Sequence, residues 1–193
     1  MPATPSTMLD LGTKLPSFRL PDLNNSMVSE EDFRSAPALL VAFMCPHCPY
    51  VRHVRQEFSR FAEDYRQRGL AIVGINSNDA KAFPDDDPAG MKKEAEETGY
   101  VFPYLYDETQ DVARAFRAAC TPDFFLFDSE RRLVYRGQFD ESRPGKASPV
   151  TGKDLRAAVD AVLTGRPQPA TQTPSVGCNI KWKPGNEPGY FKA

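Results

Sequence analysis

LLVAFMCPHCPYV, residues 39–51, is the stretch that decides the fold of this 193-residue chain. Its first six residues are apolar, a pattern typical of a short strand buried in a parallel sheet. The apolar residues that follow recur every three or four positions, as on one face of a helix: Val51, Val54, Phe58, Phe61 and Tyr65. Gly69 ends this helix, and LAIVGI at residues 70–75 predicts a second buried strand. The stretch therefore predicts a strand–helix–strand unit with two cysteines at the start of its helix.

The two cysteines have the spacing of a dithiol exchange site. Such a site needs one sulfur with a depressed pKa and a second sulfur that can release a mixed disulfide. Unpaired N–H groups and the positive end of the dipole stabilise a thiolate at a helix N-terminus. We therefore expect Cys45 to be an accessible nucleophile and Cys48 to be a partly buried resolving thiol. We expect Pro46 and His47, which lie between them, to tune the thiolate.

Two further helices have recognisable start signals. Asp87 as N-cap, with Pro88 at the first helical position, predicts a helix that runs to Thr98. TGKD at residues 151–154 resembles a capping box and predicts a helix through Leu163. The pattern also predicts a helix over residues 111–119 and a hairpin of strands over residues 124–127 and 133–139. Strands and helices thus alternate, as in an α/β fold.

The chain divides into three segments. Residues 1–13 are expected to be a flexible leader, and residues 14–165 carry the predicted strands and helices. From residue 166 the composition shifts to Pro, Thr, Gln and Gly. Because residues 166–193 also contain Trp182, Tyr190 and Phe191, we expect an extended tail that packs on the domain.

Composition and charge exclude several classes of protein. Lys and Arg number 24 and Asp and Glu 26, so the net charge of -2 provides no attraction for nucleic acid or an anionic membrane. The four cysteines are too few to hold together a disulfide-built secreted domain. The N-terminal residues do not resemble a secretory signal, which predicts a cytoplasmic protein whose thiols are kept reduced.

Together, CxxC and the later Thr121-Pro122 strand resemble the thioredoxin superfamily. This resemblance implies an α/β thioredoxin-like fold with a central mixed sheet flanked by helices, an N-terminal extension and an extended C-terminal tail. It also implies that Pro122 is a cis-proline that faces the cysteine pair and, with the backbone of Thr121, docks substrate. Longer stretches are similar to the peroxiredoxin-like AhpC/TSA redoxins: FMCPHCPYV, INSNDA, TPDFFLFD, YRGQFD, PVTGKDL and GCNIKWKPGNEP.

The residues fit a peroxidase less well than an exchange enzyme. The resemblance implies that a peroxidase has a Thr three residues before its cysteine, but Ala42 stands there. It implies an Arg on the later strand, at or beside the position of Pro122. Thioredoxins often bury an acid at the Ala42 position, where it accepts a proton in the resolving step, but Ala42 has no acidic group. If a protein group accepts that proton here, Glu57 or one of residues 85–87 is a candidate.

We therefore predict a thiol–disulfide oxidoreductase that exchanges a Cys45–Cys48 disulfide with protein or small thiol substrates, and that is reduced by a thioredoxin or glutathione system. A thiol peroxidase with an antioxidant role is the alternative, and a metal-binding or redox-sensing module is a weaker one. Cys120 and Cys178 are candidate auxiliary thiols, either as a pair or as a relay from Cys48. We expect no cofactor, metal, nucleic acid or membrane partner.

Overall fold

A computed structural model describes residues 3–191 of the chain. The strands, in chain order, are β1 (Thr4–Pro5), β2 (Arg19–Pro21), β3 (Met27–Ser29), β4 (Ala38–Phe43), β5 (Leu70–Asn76), β6 (Tyr104–Tyr106), β7 (Cys120–Thr121), β8 (Asp123–Phe127), β9 (Leu133–Gly137) and β10 (Val176–Asn179). The α-helices are α1 (Pro49–Arg66), α2 (Pro88–Thr98), α3 (Asp111–Ala115) and α4 (Lys153–Leu163).

The central sheet has five strands in the order β6-β5-β4-β8-β9. Strands β4, β5 and β6 are parallel, whereas β8 and β9 are antiparallel to their neighbours, so the sheet is mixed as predicted. All six residues of β4 are buried, because both faces of this central strand are covered. Its position places residues 44–48 at the carboxyl end of the strand, before α1.

Alternate residues of β4 pack into two hydrophobic cores. Leu40 and Ala42 face a core that contains the apolar sides of α1 and α4. Val41 and Phe43 face a second core, to which α3 and Trp182 of the tail contribute. The sheet therefore has helices on both faces, and the C-terminal tail completes one of the two layers. Within residues 3–191, no helix combines the length and apolarity that a membrane span requires.

The helix signals read from the sequence had mixed outcomes. Helix α2 begins and ends as predicted: the Asp87 carboxylate accepts the Gly90 N–H at 2.7 Å, and Gly99 terminates the helix with a left-handed backbone. The predicted capping box of α4 is wrong, because the N-cap is Gly152, at a φ of 65°. The Asp140 carboxylate binds the N–H groups of Thr151 and Gly152 instead. Helix α3 is shorter than predicted and ends at Ala115.

The two ends of the chain meet on the domain. Within the segment expected as a flexible leader, β1 pairs with β10, and the Gly12 N–H donates to the carbonyl of Leu133; residues 1 and 2 lie outside the described part. In the tail, β10 lies between β1 and β7 in a separate three-stranded sheet. Farther along, the Trp182 and Tyr190 rings pack edge to face with their centroids 6.4 Å apart.

Gly177 permits the close approach of β10 to β7. A Cβ atom at this position would lie 2.0 Å from the carbonyl oxygen of Thr121, a distance that no side chain tolerates. The neighbouring Cys178 is paired with Thr121, so any shift of Gly177 also moves this cysteine. The register of the tail therefore depends on a glycine at residue 177.

We expect Gly177→Ala to destabilise the protein by about 1–3 kcal/mol, the range typical of overpacked sites, and to loosen the tail. The backbone must shift to relieve the contact with Thr121. Urea unfolding and limited proteolysis of the tail measure both effects. Gly189→Ala is the matched control, because a Cβ atom there meets no heavy atom within 4 Å. Equal stability of the two variants would contradict this account of the β10 register.

Candidate active site

The CPHC sequence forms the turn between β4 and α1. Cys48 is the N-cap of α1, and Pro49 is the first helical residue. Cys45, Cys48, Cys120 and Cys178 are all free thiols and all buried. The expected accessibility of Cys45 is therefore wrong for this conformation, since its exposed fraction is 0 %. The side chain of His47, the neighbour that contacts the Cys45 sulfur, is 15 % exposed.

Thr121 contacts both cysteines of the motif although it lies more than 70 residues away in the sequence. Its hydroxyl is 3.5 Å from the Cys45 sulfur, and its carbonyl oxygen accepts a hydrogen bond from the Cys48 thiol at 3.1 Å. The Thr121-Pro122 peptide bond is cis. The geometry thus brings the CxxC pair and the Thr-Pro pair, the two features on which the sequence prediction rested, into one site.

The backbone edge of Thr121 is already paired. Strand β10 is antiparallel to β7, with Cys178 opposite Thr121 and Asn179 opposite Cys120. The expected docking of substrate on the Thr121 backbone is therefore not available in this conformation, because a segment of the same chain lies there. The remaining pocket beside Pro122, bordered by Tyr50, His53 and Arg143, has a volume of about 20 Å³, which holds little more than one water molecule.

The two auxiliary cysteines lie on opposite faces of this strand pair. Directly opposite residues in an antiparallel pair project to the same face, and adjacent residues along a strand project to opposite faces. Cys178 therefore shares the face of Thr121 and packs in the same hydrophobic core as Cys48. Cys120 faces the other way, where its thiol contacts the carbonyl oxygens of Pro122 and Ser175 at 3.7 and 4.0 Å.

Asp86 is a component of the site that the sequence did not single out. Its carboxylate has no solvent exposure and accepts hydrogen bonds from the His47 backbone N–H at 3.0 Å and from the Asn78 amide at 2.8 Å. It also contacts Nδ1 of the His47 imidazole, which stacks on Phe83 at 5.2 Å. The only sequence signal was the acidic stretch at residues 85–87, which does not reveal which of its carboxylates turns inward.

The pKa values of the two motif thiols move in opposite directions. Burial raises the pKa of Cys45 well above the ordinary thiol value, and a hydrogen bond with Cys48 and the negative charge of Asp86 raise it further. The pKa of Cys48 is lowered, first by a hydrogen bond from Cys178 and then by one from Cys45. Two coupled thiols of this kind titrate as a pair, and the first proton is lost more readily from Cys48 than from Cys45.

This division is opposite to the sequence expectation, which put the stabilised thiolate on Cys45. The main reasons are the interactions of Cys48 with Cys178 and Cys45, and the N–H of Val51 in the first turn of α1 adds a smaller effect. Cys45 lies three residues earlier, beside a buried carboxylate.

Three side chains of the site have the geometry of metal ligands. Donor atoms of Cys45, His47 and Asp86 all lie within 4.8 Å of one another. Thiolate, imidazole and carboxylate are ligands that zinc accepts. Metal binding there and thiol exchange would require the same Cys45 sulfur, so the two are mutually exclusive.

Comparisons with known proteins identify the family and the fold. A model of the AhpC/TSA family matches residues 11–136. A Mycobacterium tuberculosis protein that is named as a peroxiredoxin is 28% identical over 115 residues, which cover 60% of this chain and 68% of that relative. The chain belongs to the AhpC/TSA family.

Solved structures agree with this assignment. A Geobacillus kaustophilus protein of 55% identity superimposes with a TM-score of 0.93, covering 95% of this chain and 98% of the other. A Chlorobium tepidum protein named as the thiol:disulfide interchange protein DsbE is 21% identical, with a TM-score of 0.64, and covers 80% of this chain and 99% of its own. The chain therefore has the thioredoxin-like fold that the sequence predicted.

We expect Asp86→Asn to lower the pKa of the Cys45 thiol, because the substitution removes a negative charge that disfavours the thiolate. Alkylation of Cys45, followed by mass spectrometry across a pH series, measures this change as a midpoint at lower pH. Asp85→Asn is the matched control, since it makes the same charge change at an exposed neighbouring side chain. A midpoint that rises in Asp86→Asn would contradict this account of the Asp86 charge.

Proposed function

We propose that this AhpC/TSA protein is a thiol–disulfide oxidoreductase whose reactive pair is Cys45 and Cys48. One observation carries the proposal: the sulfurs of both cysteines contact Thr121, the residue that precedes the cis-proline. Two sulfurs held by the same residue in a CxxC turn are arranged to form and break one disulfide.

The first step is the attack of Cys45 on a substrate disulfide. The proton on Cys45 moves along its hydrogen bond to the Cys48 thiolate, and the Cys45 sulfur then bonds to one substrate sulfur. The substrate disulfide breaks, and the other substrate sulfur leaves with the electron pair. It takes the proton from Cys48 and departs as a thiol, so that charge and protons balance.

The second step resolves the mixed disulfide. Cys48, again a thiolate, attacks the Cys45 sulfur, and the remaining substrate sulfur leaves as a thiolate. The pair is oxidised by two electrons and the substrate is reduced by two. The interactions that lower the pKa of Cys48 favour the thiolate of the resolving sulfur, which suits this role.

The burial of Cys45 means that substrate reaches it only after a local movement. The His47 ring, partly exposed and in contact with the sulfur, and strand β10 on the Thr121 edge are the groups that must move. We propose protein disulfides or small thiols as substrates and a thioredoxin or glutathione system as the reductant. A cytoplasmic location stays a prediction of the sequence.

We expect Cys48→Ser to accumulate mixed disulfides through Cys45, because the resolving sulfur is gone. The measurement is incubation with a disulfide-bonded peptide, followed by acid quenching, alkylation and mass spectrometry under non-reducing conditions. Cys45→Ser is the matched control, in which trapping should fall to background. If Cys45→Ser traps substrate as strongly as Cys48→Ser, the assignment of the two roles is reversed. If neither variant traps any, the exchange proposal fails.

A thiol peroxidase is the second candidate, favoured by the AhpC/TSA match and by the relative that is named as a peroxiredoxin. In a peroxidase, fixed donors stabilise the leaving oxygen of the peroxide. The hydrogen-bond partners of Cys45 here are a hydroxyl, an imidazole and a thiol: Thr121, His47 and Cys48. The Thr and the Arg that the resemblance implies for a peroxidase are absent, because Ala42 stands at the first position and no Arg stands at or beside Pro122.

We therefore expect hydrogen peroxide to oxidise Cys45 at a rate within about tenfold of that of an unactivated thiol, once both are corrected for thiolate fraction. Stopped-flow mixing of the reduced protein with peroxide, followed by Trp182 fluorescence and by mass spectrometry of Cys45, measures this rate. Cys45→Ser gives the background. A rate orders of magnitude above that of the unactivated thiol would make peroxidase the function.

A further inference from the structure

Cys178 is the thiol of the tail that reaches the reactive pair. It lies opposite Thr121 in the β7–β10 pairing, and Thr121 is the residue that holds both reactive sulfurs. The two side chains therefore project to the same face of the strand pair. Cys178 is only 4 % exposed and belongs to the same hydrophobic cluster as Cys45 and Cys48.

Thr121 brings Cys178 and Cys48 together. Cys178 lies opposite Thr121 in the strand pairing, and the Thr121 carbonyl oxygen is 3.1 Å from the Cys48 sulfur. Interaction with Cys178 is also the largest of the effects that lower the pKa of Cys48. A disulfide between the two cysteines requires their Cα atoms to lie about 4.4–6.8 Å apart.

The tail is fixed on both sides of Cys178. Before it, Gly177 lies so close to the Thr121 carbonyl that no Cβ atom fits. After it, the Ile180 N–H donates to the carbonyl of Ala119 at 3.1 Å. The Lys181 N–H donates to the side-chain oxygen of Asn78, and the Lys181 carbonyl accepts from the Asp79 N–H, both at 2.8 Å. These backbone contacts therefore hold the thiol of Cys178 near Cys48, and its position does not depend on the motion of a flexible tail.

We propose that Cys178 is a third redox thiol, which exchanges with the Cys45–Cys48 disulfide to form a Cys48–Cys178 disulfide and to release Cys45. The proposal rests on the proposed function, because it starts from the oxidised pair. The Cys178 sulfur bonds to the Cys48 sulfur, the Cys45–Cys48 bond breaks, and its electron pair leaves on Cys45. The number of disulfides is unchanged, so the step needs no external oxidant or reductant.

The proton follows the same route. The proton that Cys178 loses is taken up by the departing Cys45 sulfur, whose pKa burial raises. In the reduced protein, the hydrogen bond with the Cys48 thiolate is the largest cause of the raised pKa of Cys178. Oxidation of Cys48 abolishes that thiolate, so Cys178 becomes easier to deprotonate at the stage at which its attack is required. The positive charge of Lys181 lowers the pKa of Cys178 and so favours this deprotonation as well.

This exchange separates the site that meets substrate from the site that stores the disulfide. After the exchange, Cys45 is again a free thiol beside His47. The oxidising equivalent is held in the Cys48–Cys178 disulfide, which joins the start of α1 to β10. Cys120 has no such place in the reaction, because it lies on the opposite face of β7 and contacts backbone carbonyl groups.

The direct test uses the Cys45→Ser protein, in which Cys48 and Cys178 can pair only with each other or with Cys120. Mild oxidation with diamide, acid quenching, alkylation and non-reducing peptide mapping should give the Cys48–Cys178 disulfide as the main product. The same disulfide should form in Cys45→Ser/Cys120→Ser, the matched control, and should be absent from Cys45→Ser/Cys178→Ser. Circular dichroism checks that each variant is folded.

A second measurement uses the oxidised protein with all four cysteines. N-ethylmaleimide should label a fraction of Cys45, and Cys178→Ser should abolish this labelling because the Cys45–Cys48 disulfide is then the end state. The relay is overturned if folded Cys45→Ser forms no Cys48–Cys178 disulfide while Cys178→Ser still forms Cys45–Cys48. If Cys178→Ser forms no Cys45–Cys48 disulfide either, it is the exchange function itself that fails.

Discussion

Thr121 holds the reactive sulfurs in place, and the rest of the site depends on that contact. Its hydroxyl meets Cys45, its carbonyl oxygen accepts from the Cys48 thiol, and its backbone pairs with β10. One residue thus connects the turn before α1, the start of the β8 hairpin and the C-terminal tail. The cis peptide that follows leads directly into β8, which is paired with β4, the strand that carries the cysteines. The geometry of the thiols is therefore fixed by the central sheet and not by the turn alone.

Negative charge in this buried site is favoured on Cys48 over Cys45, because the pKa of Cys48 is lowered and that of Cys45 is raised, and a buried carboxylate lies beside them. An unpaired buried anion is costly, so each one is surrounded by donors. Thiol hydrogen bonds surround Cys48, whereas an imidazole, an amide and a backbone N–H surround Asp86. Cys45 lies between the two, which explains why it keeps its proton. A second thiolate at Cys45 would add a third negative charge to the same small volume.

The sequence predicted what local periodicity and short motifs encode. The β4–α1–β5 unit, the α2 caps and the Thr-Pro strand follow from residues that are close together in the chain. Which carboxylate of residues 85–87 turns inward, and which cysteine benefits from the helix start, depend on contacts between distant segments. Gly152 shows the same limit: its left-handed backbone and the Asp140 carboxylate that binds it replaced a plausible capping box. The sequence likewise left the partner of Cys178 open between Cys120 and Cys48, because the choice follows from the register of two strands more than 50 residues apart.

For the proposed exchange reaction, the position of the tail favours internal exchange over exchange with an outside partner. An external substrate chain must displace β10 from Thr121 or enter beside Pro122, where the pocket holds little more than a water molecule. Displacement breaks the hydrogen bonds that tie residues 179–182 to the loops around residues 78 and 110. Cys178 meets no such cost, since it already lies inside the site. The free energy that holds β10 in place therefore discriminates between partners, because a substrate reaches Cys45 only if its own contacts replace those of the tail. This protein has a net charge of only -2, so those contacts have to come from backbone pairing and complementary shape.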